Sequence, residues 1–312
     1  RLPTPILLAD LDRLEANIAR MAGRARDAGL AVRPHAKSHK CAAIARRQLQ
    51  AGAVGICCAK VGEAEALAAA GTGPILLTSP IVGSDQARRV AAPGRAQPGL
   101  AVVLDHPEQA RELARACAGA ATPLSVLIDV DVGLARTGVA SPADALALAG
   151  AIGETDALRL AGVQGYGGHW QHIAGLGKRR AAIAAGMERL ANVVAALREG
   201  GHRVDWVTGG GTGSFATDAE IGLLTEVQPG SYVFMDLTYG RVRPEFEPSL
   251  SLLSTVVSRP APGRVVVDAG LKAMSSEFGW PAPLEAEGLQ VRYLSEEHGV
   301  LDLAEGASFE GR

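Results

Sequence analysis

Leu160-Ala161-Gly162-Val163-Gln164-Gly165-Tyr166, then Ile183, Met187, Leu190, Val194 and Leu197, then Val204-Asp205-Trp206-Val207-Thr208 ahead of three glycines: this stretch reads strand, helix, strand. The outer runs are short and apolar, as strands buried on both faces are. The residues between them recur at spacings of four, three, four and three, so they line one helical face, which Gly200-Gly201 stops. A single such unit specifies little, but its repetition specifies a fold.

Working outward, the pattern recurs. Strand-like runs fall at Leu30–Lys37, Val54–Lys60, Ile75–Ser79, Leu100–Asp105, Leu124–Val130 and Val227–Met235, in addition to the two quoted, with alanine-rich helical stretches between them. One of these helices is marked by Leu11, Leu14, Ile18 and Met21, with Asp10 as its N-cap and its end near Gly29. Eight strands alternating with helices predict an α/β fold, a (β/α)8 barrel over residues 10–240 whose chemistry sits at the C-terminal ends of its strands. An open, doubly wound sheet permits the same alternation. Beyond Arg241 the character changes: Leu250–Ser258, Arg264–Asp268 and Leu289–Leu294 read as strands between proline- and glycine-rich turns. The expectation is a β-rich second domain made of residues 241–312 together with residues 1–9, whose run Ile6–Ala9 precedes the barrel pattern.

Composition narrows the function. Lys and Arg number 31 against 33 Asp and Glu, a formal charge of -2, so nothing electrostatic draws the chain to nucleic acid or to an anionic membrane. With 47% hydrophobic residues it can bury a large core, yet no apolar run approaches the roughly 20 residues that span a bilayer. Cys41, Cys57, Cys58 and Cys117 have neither zinc-type spacing nor the density of a disulfide framework. A soluble, cytoplasmic protein with a small-molecule partner is expected. The chain begins at Arg1 without a methionine and stops at Arg312 soon after the strand-like Leu301–Leu303, so we expect it to be a piece of a longer protein.

The strand ends carry the candidate chemistry. The first strand ends Arg33-Pro34-His35-Ala36-Lys37-Ser38-His39-Lys40, and a lysine there is suited to Schiff-base formation once burial lowers its pKa. Thr208-Gly209-Gly210-Gly211-Thr212-Gly213-Ser214 offers backbone N–H groups to a phosphate. Lysine and phosphate cradle together suggest a phosphorylated aldehyde, pyridoxal phosphate (PLP). Arg136, in Asp129–Gly138, is placed to bond the cofactor's phenolate or a surface carboxylate. Tyr166 is a candidate neighbour of the Schiff base, and His169 and His172 suit either acid–base work or metal ligation.

Five blocks in order, Arg33–Lys40, Gly55–Val61, Thr208–Ser214, Gln228–Asp236 and Val267–Lys272, resemble the D-threonine aldolase and D-serine dehydratase family of fold-type III PLP enzymes, the alanine-racemase-like barrels. The resemblance implies Lys37 as the Schiff-base lysine within the Pro-His-Ala-Lys block. It implies Arg136 on the phenolate oxygen, Tyr166 near the reacting centre, and Thr208 with Gly209, Gly210, Gly211 and Thr212 around the phosphate. His35 beside the lysine, His169, and Tyr232 and Asp236 in a further block complete the expected site. A homodimer is implied as well, acting on a D-amino acid.

Two departures bear on the reaction. After His298 there is no histidine, so the C-terminal metal pair of the family is absent from this sequence, and a divalent metal (Mn, Mg, Co or Zn) is expected only in the full-length protein. Its ligands stay unassigned. Tyr166-Gly167 also stands where the aldolases have a histidine directly after the tyrosine. The expected activity is metal-assisted retro-aldol cleavage of a D-3-hydroxy amino acid to glycine and an aldehyde. Dehydration of D-serine or 3-hydroxy-D-aspartate is the alternative, and a non-catalytic PLP-homeostasis protein a further one. Alanine racemase chemistry is disfavoured, since Tyr293 is the only tyrosine after Tyr239.

Overall fold

The alternating runs become a parallel barrel because each strand is too short and too apolar to rest with either face in water. In a computed structural model, which describes residues 2–92, 99–284, 286–307 and 309, two compact units form, Arg1–Leu11 with Pro248–Arg312, and Asp12–Glu247. The chain opens with β1 (Ile6–Ala9) and α1 (Leu11–Asp27). Then follow β2 (Ala31–Val32), α2 (Ala42–Gln50), β3 (Ile56–Cys58), α3 (Val61–Ala69), β4 (Ile75–Leu77), α4 (Ser84–Ala91), β5 (Ala101–Leu104) and α5 (Pro107–Cys117). After them come β6 (Leu124–Val130), α6 (Pro142–Gly153), β7 (Leu158–Gly165), α7 (Leu176–Glu199), β8 (Trp206–Gly209), α8 (Phe215–Ile221), β9 (Glu226–Val227) and α9 (Leu237–Gly240).

Strands β2 to β9 are all parallel, in the order β2-β9-β8-β7-β6-β5-β4-β3. The ring closes between its first and last members: His35 bridges Cys57, and Val32 and Pro34 accept the N–H groups of Val54 and Cys57 at 2.9 and 2.8 Å. The eight expected strands are therefore the eight of the barrel, and the open sheet is set aside. Several are shorter than their apolar runs, because the ends of those runs turn into the loops of the mouth.

Period-two alternation splits the barrel's side chains between two cores. Ile56, Cys58, Val102, Leu104, Val126 and Ile128 point outward, under the helices. Cys57, Leu76, Ala101, Val103 and Leu127 point inward and fill the interior. Two residues further along β6 the inward position is Asp129, in register with Gln164 on β7, Thr208 on β8 and Glu226 on β9. The interior thus passes from hydrocarbon to a row of buried polar groups.

The other unit is antiparallel. β1 pairs with β10 (Leu250–Leu253), while β11 (Val256–Ser258), β12 (Arg264–Val267), β13 (Leu289–Leu294) and β14 (Gly299–Leu303) form a sheet in the order β11-β12-β14-β13. The single expected run Leu250–Ser258 is split in two, and its halves serve different sheets. Val265, Leu289 and Leu301 form this unit's own small core.

Candidate active site

Pro34 holds the chain extended as β2 ends, and a single 3-10 turn, Ala36–Ser38, then presents Lys37 at the barrel mouth. His35 anchors that turn. Its Nδ1 accepts the N–H of Lys37 at 3.3 Å, so its proton sits on Nε2 and is donated to Thr78 Oγ1 at 3.0 Å, the threonine proton passing on to the Cys58 carbonyl at 3.2 Å. Burial, reinforced by the charges of Lys37, His39 and Arg136, pushes the His35 pKa well below its usual value and keeps the ring neutral.

A cavity of about 580 Å³ opens here, with His35, Lys37, Asp105, Arg136, Tyr166 and Gln228 in its wall. Lys37 Nζ lies 5.1 Å from the centroid of the Tyr166 ring and the Arg136 guanidinium carbon 5.7 Å from it. Lys37 keeps accessible surface on the cavity side, while burial, and then Arg136, lower its ammonium pKa against the opposing pull of Cys57 and Glu63. Burial raises the Tyr166 pKa, so its phenol stays neutral. The site therefore joins an amine of lowered pKa, a permanent cation and a neutral phenol. A second cavity, about 530 Å³ and outside the barrel beside α3 and α4, carries among the described residues the Glu65–Arg89 ion pair as its charge.

Arg136 rides on a tightly tied loop. Asp131 Oδ1 accepts the N–H groups of Gly133 and Ala135 at 2.9 and 3.0 Å, Asp105 Oδ2 accepts that of Gly138 at 3.0 Å, and the Thr137 hydroxyl donates to Asp129 at 2.8 Å. Gly138 has φ +106°, and a Cβ there would lie 2.5 Å from the Asp131 nitrogen, so only glycine fits. Asp129, buried beneath, has its pKa pushed up to about 6 by burial, although Gln164 and Thr137 stabilise the carboxylate.

At the end of β8 the glycine run folds over the barrel. Gly211 N–H donates to Ser214 Oγ at 3.0 Å and Gly213 N–H to Gln171 Oε1 at 2.8 Å, while Thr212 Oγ1 accepts the N–H of Tyr232 at 3.0 Å. The buried N–H groups of Gly210 and Thr212 meet no acceptor among the described residues, an arrangement suited to an anion. Thr208 is turned inward, its hydroxyl donating to Glu226 Oε1 at 2.9 Å.

Lys37, His35, Arg136 and Tyr166 thus share one cavity, and other expected residues lie elsewhere. Tyr232 is buried, its hydroxyl accepting from Gln48 Nε2 at 3.0 Å. Asp236 caps α9 by accepting the N–H groups of Thr238 and Tyr239 at 2.8 and 2.7 Å. His169 is exposed with its ring 4.7 Å from Trp170, whereas His172 packs 4.2 Å from Tyr239. Among the described residues no three His, Cys, Asp or Glu side chains gather in a way that holds a metal ion. Thr78, Gln164 and Gln228 also line the cavity without having been singled out. Their signal was a polar residue at an inward position of an apolar strand, which is readable only once the facing of each strand is known.

Comparison with known proteins bears on the fold and the family. The alanine racemase N-terminal domain family matches residues 9–238, and a serine dehydratase domain matches residues 249–310. A D-threonine aldolase of Arthrobacter sp is 40% identical over 98% of this chain and 82% of its own length. A 3-hydroxy-D-aspartate aldolase of Paracoccus denitrificans is 34% identical over 97% of this chain and 81% of its own. The crystal structure of D-threonine aldolase from Filomicrobium marinum superposes with a TM-score of 0.95 at 38% identity, covering 100% of this chain and 86% of that one. With the barrel matched along its whole length and a relative this similar, the chain belongs to the D-threonine aldolase and D-serine dehydratase family, built on the alanine racemase N-terminal barrel.

Proposed function

We propose that this protein is a PLP-dependent aldolase that cleaves D-3-hydroxy amino acids to glycine and an aldehyde. The observation that carries the reading is the convergence of Lys37, Arg136 and Tyr166 on one cavity, in a chain 40% identical to a D-threonine aldolase. The residues fit the cofactor: an amine of lowered pKa, a fixed cation beside it, and two buried N–H groups without an acceptor at the glycine loop. Bound PLP would supply the electron sink for a bond broken at Cα.

The chain's own groups supply the rest. Lys37 would carry the cofactor's aldehyde as a Schiff base, and burial and Arg136 lower the pKa of its ammonium in that direction. Arg136 would hold the phenolate, and Gly209–Thr212 would take the phosphate on the N–H groups of Gly210 and Thr212, which meet no acceptor among the described residues. The Tyr166 ring lies beside both Lys37 Nζ and the Arg136 guanidinium and forms that part of the wall. His35, neutral and doubly hydrogen-bonded, holds the turn that carries Lys37. In the cleavage a base takes the β-hydroxyl proton and the Cα–Cβ bond breaks, its electron pair staying on the glycine carbon. The divalent metal expected from the family finds no ligand cluster among the described residues, and no step is routed through it. The reading includes a homodimer in the cytoplasm. No helix among the described residues is long and apolar enough to cross a membrane.

A second reading, dehydration, is favoured by the serine dehydratase match over residues 249–310. Glycine and acetaldehyde from D-threonine support the aldolase, and pyruvate and ammonia from D-serine without glycine from D-threonine overturn it. Lys37→Ala should abolish the visible absorbance of the loaded protein, near roughly 420 nm for a PLP-bearing lysine. A surviving band would make another lysine the anchor.

A further inference from the structure

The buried row inside the barrel has a direction. Gln164 Nε2 donates to Asp129 Oδ1 at 2.9 Å and to the Thr78 carbonyl at 3.3 Å. A carbonyl can only accept, so the NH2 end of the Gln164 amide must face this side and its Oε1 the other. There Gln228 Nε2 donates to Gln164 Oε1 at 3.1 Å and to Thr208 Oγ1 at 3.1 Å. Thr208 has already given its proton to Glu226, so it can only accept from Gln228. Both amide protons of Gln228 are therefore committed. Its carbonyl Oε1 receives no donor among the described residues and keeps some accessible surface, and Gln228, 4% exposed, forms part of the cavity wall. A nine-tenths buried side chain thus turns a bare acceptor towards the cavity.

We propose that Gln228 recognises the ring N–H of the cofactor, and that Gln164 and Asp129 are positioning residues that keep its carbonyl oxygen facing the cavity. The inference rests on the PLP reading above. In PLP the aldehyde and the ring nitrogen lie opposite one another, with the phenolate and the phosphate arm on either side of the aldehyde. With the aldehyde at Lys37, the phenolate at Arg136 and the phosphate at Gly209–Thr212, the nitrogen would be left to the inward-facing side chains, and in the cavity wall Gln228 offers an amide oxygen that receives no donor among the described residues. An acceptor oxygen attracts a protonated ring nitrogen and repels the lone pair of an unprotonated one. The relay thereby favours the form of the ring that best accepts electrons, using a neutral amide rather than a charge. Asp105, Arg136 and Lys37 are the other charged groups lining this cavity beside Lys60, and none of them is hydrogen-bonded to Gln228.

The test is binding rather than turnover. Apoprotein is titrated with PLP and with its 1-deaza analogue, in which a C–H replaces the ring nitrogen, and affinity is followed by quenching of protein fluorescence. Wild type should prefer PLP by about tenfold or more, the scale of one hydrogen bond to a charged group. Gln228→Leu, and Gln164→Leu, which frees the amide to turn, should bring that preference towards one with little change in affinity for the analogue. Gln228→Glu retains an acceptor and should keep or enlarge it, which a purely structural role for the side chain would not do. Equal loss for both ligands in Gln228→Leu, or an unchanged preference, overturns the proposal. Wild type that binds PLP but does not prefer it to the analogue overturns this inference alone; wild type that binds neither overturns the cofactor reading and this inference with it.

Discussion

The inside of the barrel holds two regions built by one rule. On β3 to β6 the inward positions are Cys57, Leu76, Ala101, Val103 and Leu127, a hydrocarbon filling with at most 1% exposure. On β6 to β9, one inward step nearer the mouth, they are Asp129, Gln164, Thr208 and, across the register, Glu226. The first region is held by close packing, which tolerates substitution by volume. The second is held by hydrogen bonds in which each partner fixes the next, and it tolerates little, because a buried polar group left unpaired costs more than the bond was worth. The barrel thus has an inert floor beneath a chemically directed ceiling.

Three substitutions sharpen that contrast, in descending order of effect. Glu226 Oε1 accepts from Arg33 Nε at 3.0 Å, Trp206 Nε1 at 3.0 Å and Thr208 at 2.9 Å, and the Arg33 guanidinium lies 4.8 Å from the Trp206 ring. Glu226→Ala strands that buried cation and should cost about 3–5 kcal/mol in urea unfolding. The double variant Arg33→Met, Glu226→Leu should recover most of it; failure to recover would mean that packing rather than charge governs the polar region too. Leu127→Ala opens a space in the hydrocarbon filling and should cost about 2–5 kcal/mol, regained in part by an apolar ligand or a larger neighbour. The third concerns pH. Asp129 titrates near about 6 in the folded chain against 3.8 unfolded, so between these values the native state holds the extra proton. Its contribution to stability is therefore fullest below about pH 4, declines as pH rises to about 6 and is level above, a change on the order of 3 kcal/mol. Asp129→Asn removes this slope. The unfolding free energy of wild type minus that of the variant should fall between pH 4 and pH 7, and a flat difference would mean that Asp129 is ionised throughout.

Much of this was legible from residue order. The eight apolar runs become the eight parallel strands, and the helix read from Ile183 to Leu197 is α7. Lys37, Arg136 and Tyr166, far apart in the chain, were marked by their places at strand ends and do meet in one cavity. Tyr232 and Asp236 illustrate the limit: both lie in the matching block, yet one hydroxyl is turned to Gln48 and the other side chain caps a short helix. A linear block records neighbours along the chain and says nothing about which way each side chain leaves it.

The sequence by itself determined the class of fold, because period-two runs alternating with 3.6-period runs leave few ways to bury both. It also determined the candidate anchor, since a lysine at a strand end stands at the barrel mouth wherever the strand goes. Only the tertiary structure decided the polarity of the interior. The acceptor that Gln228 turns to the cavity follows from Thr78, Asp129 and Gln164, residues up to 150 positions away. An amide has no preferred direction of its own, and takes one only from the partners that folding brings to it.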